Sequence, residues 1–143
     1  MKLIKALIGN SNDDNKFSWG ILLLRIFLSA LMLTHGFAKL NNFETLSTQF
    51  PDILGIGGEW NLILVILAEF GCSLLIIFGL FTRLSTLPII FSMIIAAFVA
   101  HANDPFAAKE MAVLYLGLFT YILYAGAGKF SLDYLIRKWF SKQ

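Results

Sequence analysis

Seven side chains in this sequence could do chemistry, and most of them stand where a charge is expensive. Arg25, His35 and Lys39 interrupt the apolar stretch "LLLRIFLSALMLTHGFAKL". Glu69 is the one charged residue in "LILVILAEFGCSLLIIFGLF", and His101, Glu110 and Tyr121 follow near or within the last two apolar blocks. In a low-dielectric setting, arginine and lysine offer hydrogen-bond donors to a carbonyl or anionic oxygen, and glutamate and histidine offer acid and base groups. A charge at the centre of a bilayer costs about 2.5–3.5 kcal/mol on insertion scales, so Arg25 and Glu69 each demand a partner or water. They can be each other's partner. By rise per residue, Arg25 stands about 10 Å above the start of the first apolar block and Glu69 about 12 Å below the start of the second, which leaves about 8 Å between their levels in a core about 30 Å thick.

The spacing on individual helices sharpens the set. Lys39 follows Arg25 by fourteen residues, which at 100° per residue returns it to within about 40° of the same face, and His35 is its i−4 neighbour. Glu110, Leu114, Gly117, Tyr121 and Tyr124 recur at helical spacing and form one stripe, headed by the carboxylate and carrying two phenols. The expected site therefore comprises Arg25, His35, Lys39, Glu69, His101, Glu110 and Tyr121, with the ionisable residues other than Arg25 gathered toward the extracytoplasmic half. The competing expectation is structural: Lys39, Asp104 and Glu110 mark helix ends in water, and the Arg25 and Glu69 pair locks the packing.

The elements that must position these residues follow from composition. Of 143 residues, 58% are hydrophobic and only 14% charged, with a mean hydropathy of +0.77, which excludes an ordinary soluble domain. Four apolar blocks, about residues 19–40, 61–81, 84–101 and 110–127, have the length of a bilayer-spanning helix. The short connections after the second and third blocks make neighbours antiparallel, so the fold class is all-α: an integral membrane, up-down four-helix bundle spanning residues 1–143 as a single domain. The connection between Asn41 and Asn61 is expected to hold a short amphipathic helix around Phe43–Phe50. Past Gly128, Ser131 is a suitable N-cap for "LDYLIRKWF", whose Leu132, Leu135, Ile136, Trp139 and Phe140 share one face. Residues 131–140 are thus an amphipathic helix on the membrane surface, held by that face and by attraction of its cations to anionic lipid.

Lysine and arginine outside the blocks concentrate on one side: Lys2, Lys5, Lys16, Arg83, Lys129, Arg137, Lys138 and Lys142, against Lys39 and Lys109 on the other. The positive-inside rule then places both termini in the cytoplasm. Lys2 precedes "LIKALIG", which itself contains Lys5 and is too short for the apolar region of a cleaved signal peptide, so the first span is expected to be retained. The single cysteine, Cys72, excludes an internal disulfide or a CxxC redox pair. The ligands of a closed zinc site are missing, haem between His35 and His101 is disfavoured because both would have to face inward at one depth, and nothing supports nucleic-acid binding.

The segments "LLRIFLSALMLTHGFAKL", "AEFGCSLLIIFGLFTRLS", "KEMAVLYLGLF" and "YAGAGKFSLD" together resemble the DoxX family of small four-helix bacterial membrane proteins, over about residues 19–135. The matching motif positions are Arg25, His35, Gly36, Lys39, Glu69, Gly79, Arg83, Glu110, Gly128, Ser131 and Asp133. The resemblance implies a multi-pass protein of the bacterial plasma (inner) membrane and a redox-linked role, as a quinone-associated or oxidative-stress subunit with a membrane or peripheral redox protein as partner. With no redox centre visible in the sequence, electrons would pass through quinone or that partner. A non-catalytic assembly protein is the first rival, and a small-molecule carrier the second. Oligomeric state and any cofactor beyond a quinone stay open.

Overall fold

The computed structural model describes residues 14–141, and the segment carrying Lys2 and Lys5 lies outside them. Among the described residues there is no strand. Helix α1 (Asp14–Asn41) is followed by the short α2 (Phe43–Ser47), then α3 (Gly58–Phe78), α4 (Thr82–Ala100), α5 (Phe106–Ala125) and α6 (Leu132–Phe140). Helices α1, α3, α4 and α5 are long and apolar enough to cross a membrane, and they form the expected up-down bundle. At 28 residues α1 is about 42 Å long, more than a hydrocarbon core requires, so its ends reach past the apolar layer.

The bundle closes on a core of Leu28 and Met32 from α1, Ala68 and Ile76 from α3, Ile89 and Met93 from α4, and Tyr115, Phe119 and Ile122 from α5. Outside it, Leu23, Phe27, Phe78, Phe91, Phe98 and Leu114 are each more than half exposed, the surface of a protein whose solvent is lipid. The buried set is unusually polar by contrast, with Arg25, Ser29, Glu69, Ser73, Thr82 and Thr86 all inside. Association of helices in lipid relies on close packing and polar contacts. At Gly36 a Cβ would lie 2.6 Å from the backbone nitrogen of Phe70, so only glycine lets α1 and α3 approach this closely.

Two helices are interrupted by wider π-helical turns, α3 at Leu67–Cys72 and α4 at Ala96–Ala100. Neither was visible in the hydrophobic pattern. Such turns cost regular hydrogen bonding and collect at functional sites. Pro88 lies in the second turn of α4.

The connection after α1 holds a single helical stretch, Phe43–Ser47, shorter than the expected Phe43–Phe50. The rest folds over the start of α3. There Asp52 Oδ1 accepts from the Ile56 N–H and from Asn61 Nδ2, while the Leu54 N–H donates to Asn61 Oδ1. Gly57, at φ +99°, turns the chain into α3. At the other end of the chain Ser131 caps α6 as expected, its hydroxyl accepting from the Tyr134 N–H, and the apolar face of α6 is unburied.

Candidate functional site

The costly charges divide between two ends of the bundle. At the end where α1 begins and α5 finishes, Arg25 is 1% exposed. Its guanidinium donates to the carbonyls of Ala127 at 2.5 Å, Phe130 at 2.8 Å and Ile77 at 3.4 Å. These carbonyls lie at or just beyond helix ends, where backbone acceptors lack intrahelical donors, and a cation is favoured there. The geometry of neighbouring segments is set by this cradle. Gly79, at φ +70°, closes α3, and a Cβ there would stand 2.5 Å from Ser131 Cβ and 2.7 Å from an Arg25 nitrogen. The Asp133 N–H donates to the Gly79 carbonyl, and the Asp133 carboxylate accepts from the N–H groups of Phe81 and Thr82, capping α4 from outside its own segment. Phe81 sits in the left-handed region at φ +47°, a conformation held by that carboxylate.

The expected Arg25 and Glu69 ion pair is therefore corrected. Arg25 is level with Ile77, and Glu69 precedes Ile77 by eight residues, about 12 Å along the helix. That separation exceeds the 8 Å or so inferred from the block ends, and the free carbonyls are nearer. Glu69 pairs instead with Lys39.

At the opposite end Lys39 Nζ lies 2.5 Å from Glu69 Oε2, with side-chain exposures of 27% and 6%. Gly36, one turn before Lys39, brings α1 onto α3 beside Glu69, and the π turn Leu67–Cys72 places the carboxylate on the wall of a cavity of about 440 Å³. Leu64 and Ala68 of α3, Pro88, Phe91 and Ile95 of α4, and Phe50 and Leu54 of the folded connection make the rest of the wall mostly apolar. His101, which follows the second π turn, is at the rim, with Nδ1 2.7 Å from Asp104 Oδ2. The arrangement offers an ammonium donor and a carboxylate acceptor facing an apolar chamber, with a histidine at its mouth. Among the described residues no three His, Cys, Asp or Glu side chains come together as a metal-holding group.

Three of the seven residues expected at one site, Lys39, Glu69 and His101, thus share this cavity. The others do not. His35, although the i−4 neighbour of Lys39, meets Tyr115 edge-on at 5.7 Å and does not line the cavity. Glu110 and Tyr121 are exposed, as are Leu114 and Tyr124, so the stripe on α5 faces outward. Arg25 belongs to the opposite end. Sequence reasoning missed Tyr115, which is 5% exposed and stacks on Phe119, and it missed the Asp52 and Asn61 contact that shapes the connection over the cavity. The glycines between Asp52 and Asn61 were the available signal for that turn.

The family model described as DoxX matches residues 20–102, which hold Lys39, Glu69, His101 and the rest of the cavity wall. The inner membrane protein YqjF of Escherichia coli (strain K12) is 32% identical over 125 residues, covering 83% of this chain and 93% of that protein. An uncharacterized protein of Haemophilus influenzae (strain Rd KW20) is 33% identical over 126 residues, covering 83% and 90% respectively. No solved structure matches. With four apolar spans in place and the family model matching more than half of the chain, the chain belongs to the DoxX family of integral membrane proteins.

Proposed function

We propose that the protein binds a small amphipathic molecule of the quinone type in the Lys39 and Glu69 cavity and serves as a subunit of a redox-linked complex in the bacterial plasma membrane, with both termini cytoplasmic. The observation that carries this reading is an ion pair set into an apolar chamber of about 440 Å³, within the size range of small-molecule sites. A structural ion pair needs no chamber beside it. A quinone head group needs a donor to its carbonyl oxygen and an acceptor for its hydroxyl in the reduced form, and Lys39 and Glu69 supply one each. The apolar wall from Leu64 to Ile95 suits the ring and the start of an isoprenoid tail. His101, beside Asp104 at the rim, stands where a proton would enter or leave. A quinone carries electrons, and the chain's own residues orient it, exclude water and hold a proton at Glu69 or His101. A partner protein would supply or accept the electrons.

Titration of the purified protein with a short-chain benzoquinone, followed by tryptophan fluorescence, tests the reading. Saturable quenching that is lost in Lys39→Met and Glu69→Gln is the expected result. Quenching that is absent, or unchanged in both variants, would leave the non-catalytic assembly role as the better account.

A further inference from the structure

We propose that a second, polar cleft, at the Arg25 end of the bundle, binds a phosphate-bearing anion, and that the anion is the head group of an anionic membrane lipid. The cleft has a volume of about 590 Å³ and opens between the start of α1, the start of α4 and the segment joining α5 to α6. Arg25 is not part of its wall. Three cations from separate elements line it: Arg83 of α4, Lys129 of the joining segment and Arg137 of α6.

The carboxylate in the same wall forms no ion pair with Arg83 or Arg137. Asp133 is already committed to the backbone N–H groups of Phe81 and Thr82. Among the described residues neither Arg83 nor Arg137 forms an ion pair. Arg83 gives one N–H to the Tyr124 carbonyl at 3.2 Å, which anchors the guanidinium against Gly126 and leaves its remaining donors for a ligand. An independent observation points the same way. Thr82, 1% exposed, is among the residues lining the cleft, and its buried hydroxyl has no hydrogen-bond partner. A buried hydroxyl left unpaired costs free energy, and a phosphate oxygen would accept from it.

The setting favours a lipid as the source of the phosphate. Helix α6, which forms one side of the cleft, presents Leu132, Leu135, Ile136, Trp139 and Phe140 unburied, as a helix lying in the membrane interface does. Phe81 and Leu84, in the cleft wall, are each at least 60% exposed beside it and would flank acyl chains. Basic pockets between spans at the head-group level are sites for anionic lipid, because the phosphate meets fixed cations where water is already scarce.

The test uses the full chain purified in a neutral maltoside detergent. Thermal stability and native mass spectrometry would be recorded with short-chain phosphatidylglycerol, with phosphatidylcholine of the same chains, and with inorganic phosphate. Phosphatidylglycerol is expected to stabilise the protein and to bind at defined stoichiometry in preference to phosphatidylcholine. The double variants Arg83→Gln/Arg137→Gln and Lys129→Gln/Arg137→Gln should each weaken that binding by about fivefold per cation removed. Glu110→Gln should leave it unchanged. The second double variant spares the Arg83 contact with Tyr124, so it reports on binding even if the first folds poorly. A response to inorganic phosphate as large as that to the lipid, and lost in the variants, would keep the phosphate site and assign it to a soluble anion. Equal binding of the two lipids, or a phosphatidylglycerol preference that survives in both double variants, would overturn the proposal.

Discussion

Arg25 and Glu69 are both charges inside an apolar bundle, yet the structure treats them in opposite ways. Arg25 is enclosed by the carbonyls of Ile77, Ala127 and Phe130, all contributed by backbone that the fold must satisfy in any case. Glu69 is paired by the side chain of Lys39, more than a quarter of which is exposed, on the wall of a chamber large enough for a guest. A charge sealed by backbone cannot be exchanged without dismantling helix ends. One paired by a flexible side chain beside a cavity can change partner. The difference teaches that the cost of a buried charge does not by itself mark a site, and that the nature of its partner does.

The comparison can be broken most forcefully at Arg25. Arg25→Met leaves three carbonyls without their cation, and loss of about 3–5 kcal/mol is expected, seen as poor folded yield or a large drop in thermal stability in detergent. Retention of wild-type stability would show that the cradle is not structural. Next in size is Gly79→Ala, where the left-handed φ and the contacts with Ser131 and Arg25 together should cost about 2–4 kcal/mol by the same thermal measurement. Asp133→Ala removes the cap from α4 and should cost about 1–2 kcal/mol, with a milder change for Asp133→Asn. At the small end, Glu110→Gln on the outward stripe should stay within about 0.5 kcal/mol of wild type. A large effect there would mean that the α5 face is covered by another protein.

Much of the bundle was legible in the sequence because length and apolar content dictate spans, and the four lie close to where composition placed them. The Ser131 cap and the apolar face of the last helix were equally readable, since a capping hydroxyl and an i, i+3, i+4 pattern are local properties. The site was less so, for two physical reasons. Hydropathy does not tell the core side of a membrane helix from its lipid side, so the spacing from Glu110 to Tyr124 correctly defined one face of α5 and not the direction that face points. Pairing across helices depends on depth, and counting from block ends set Arg25 and Glu69 closer in level than they are. Carbonyl cradles and π turns involve backbone rather than residue type, and so leave little trace in sequence.

The most direct test of the contrast combines fold and binding in one experiment on the Lys39 and Glu69 pair. Lys39→Met and Glu69→Gln would be purified, their helicity and thermal stability measured, and each titrated with the same short-chain benzoquinone as the wild type. The account predicts proteins that fold, with far smaller stability losses than Arg25→Met, and that no longer bind the quinone. Variants that unfold as Arg25→Met does, or that fold and bind the quinone as the wild type does, would contradict it.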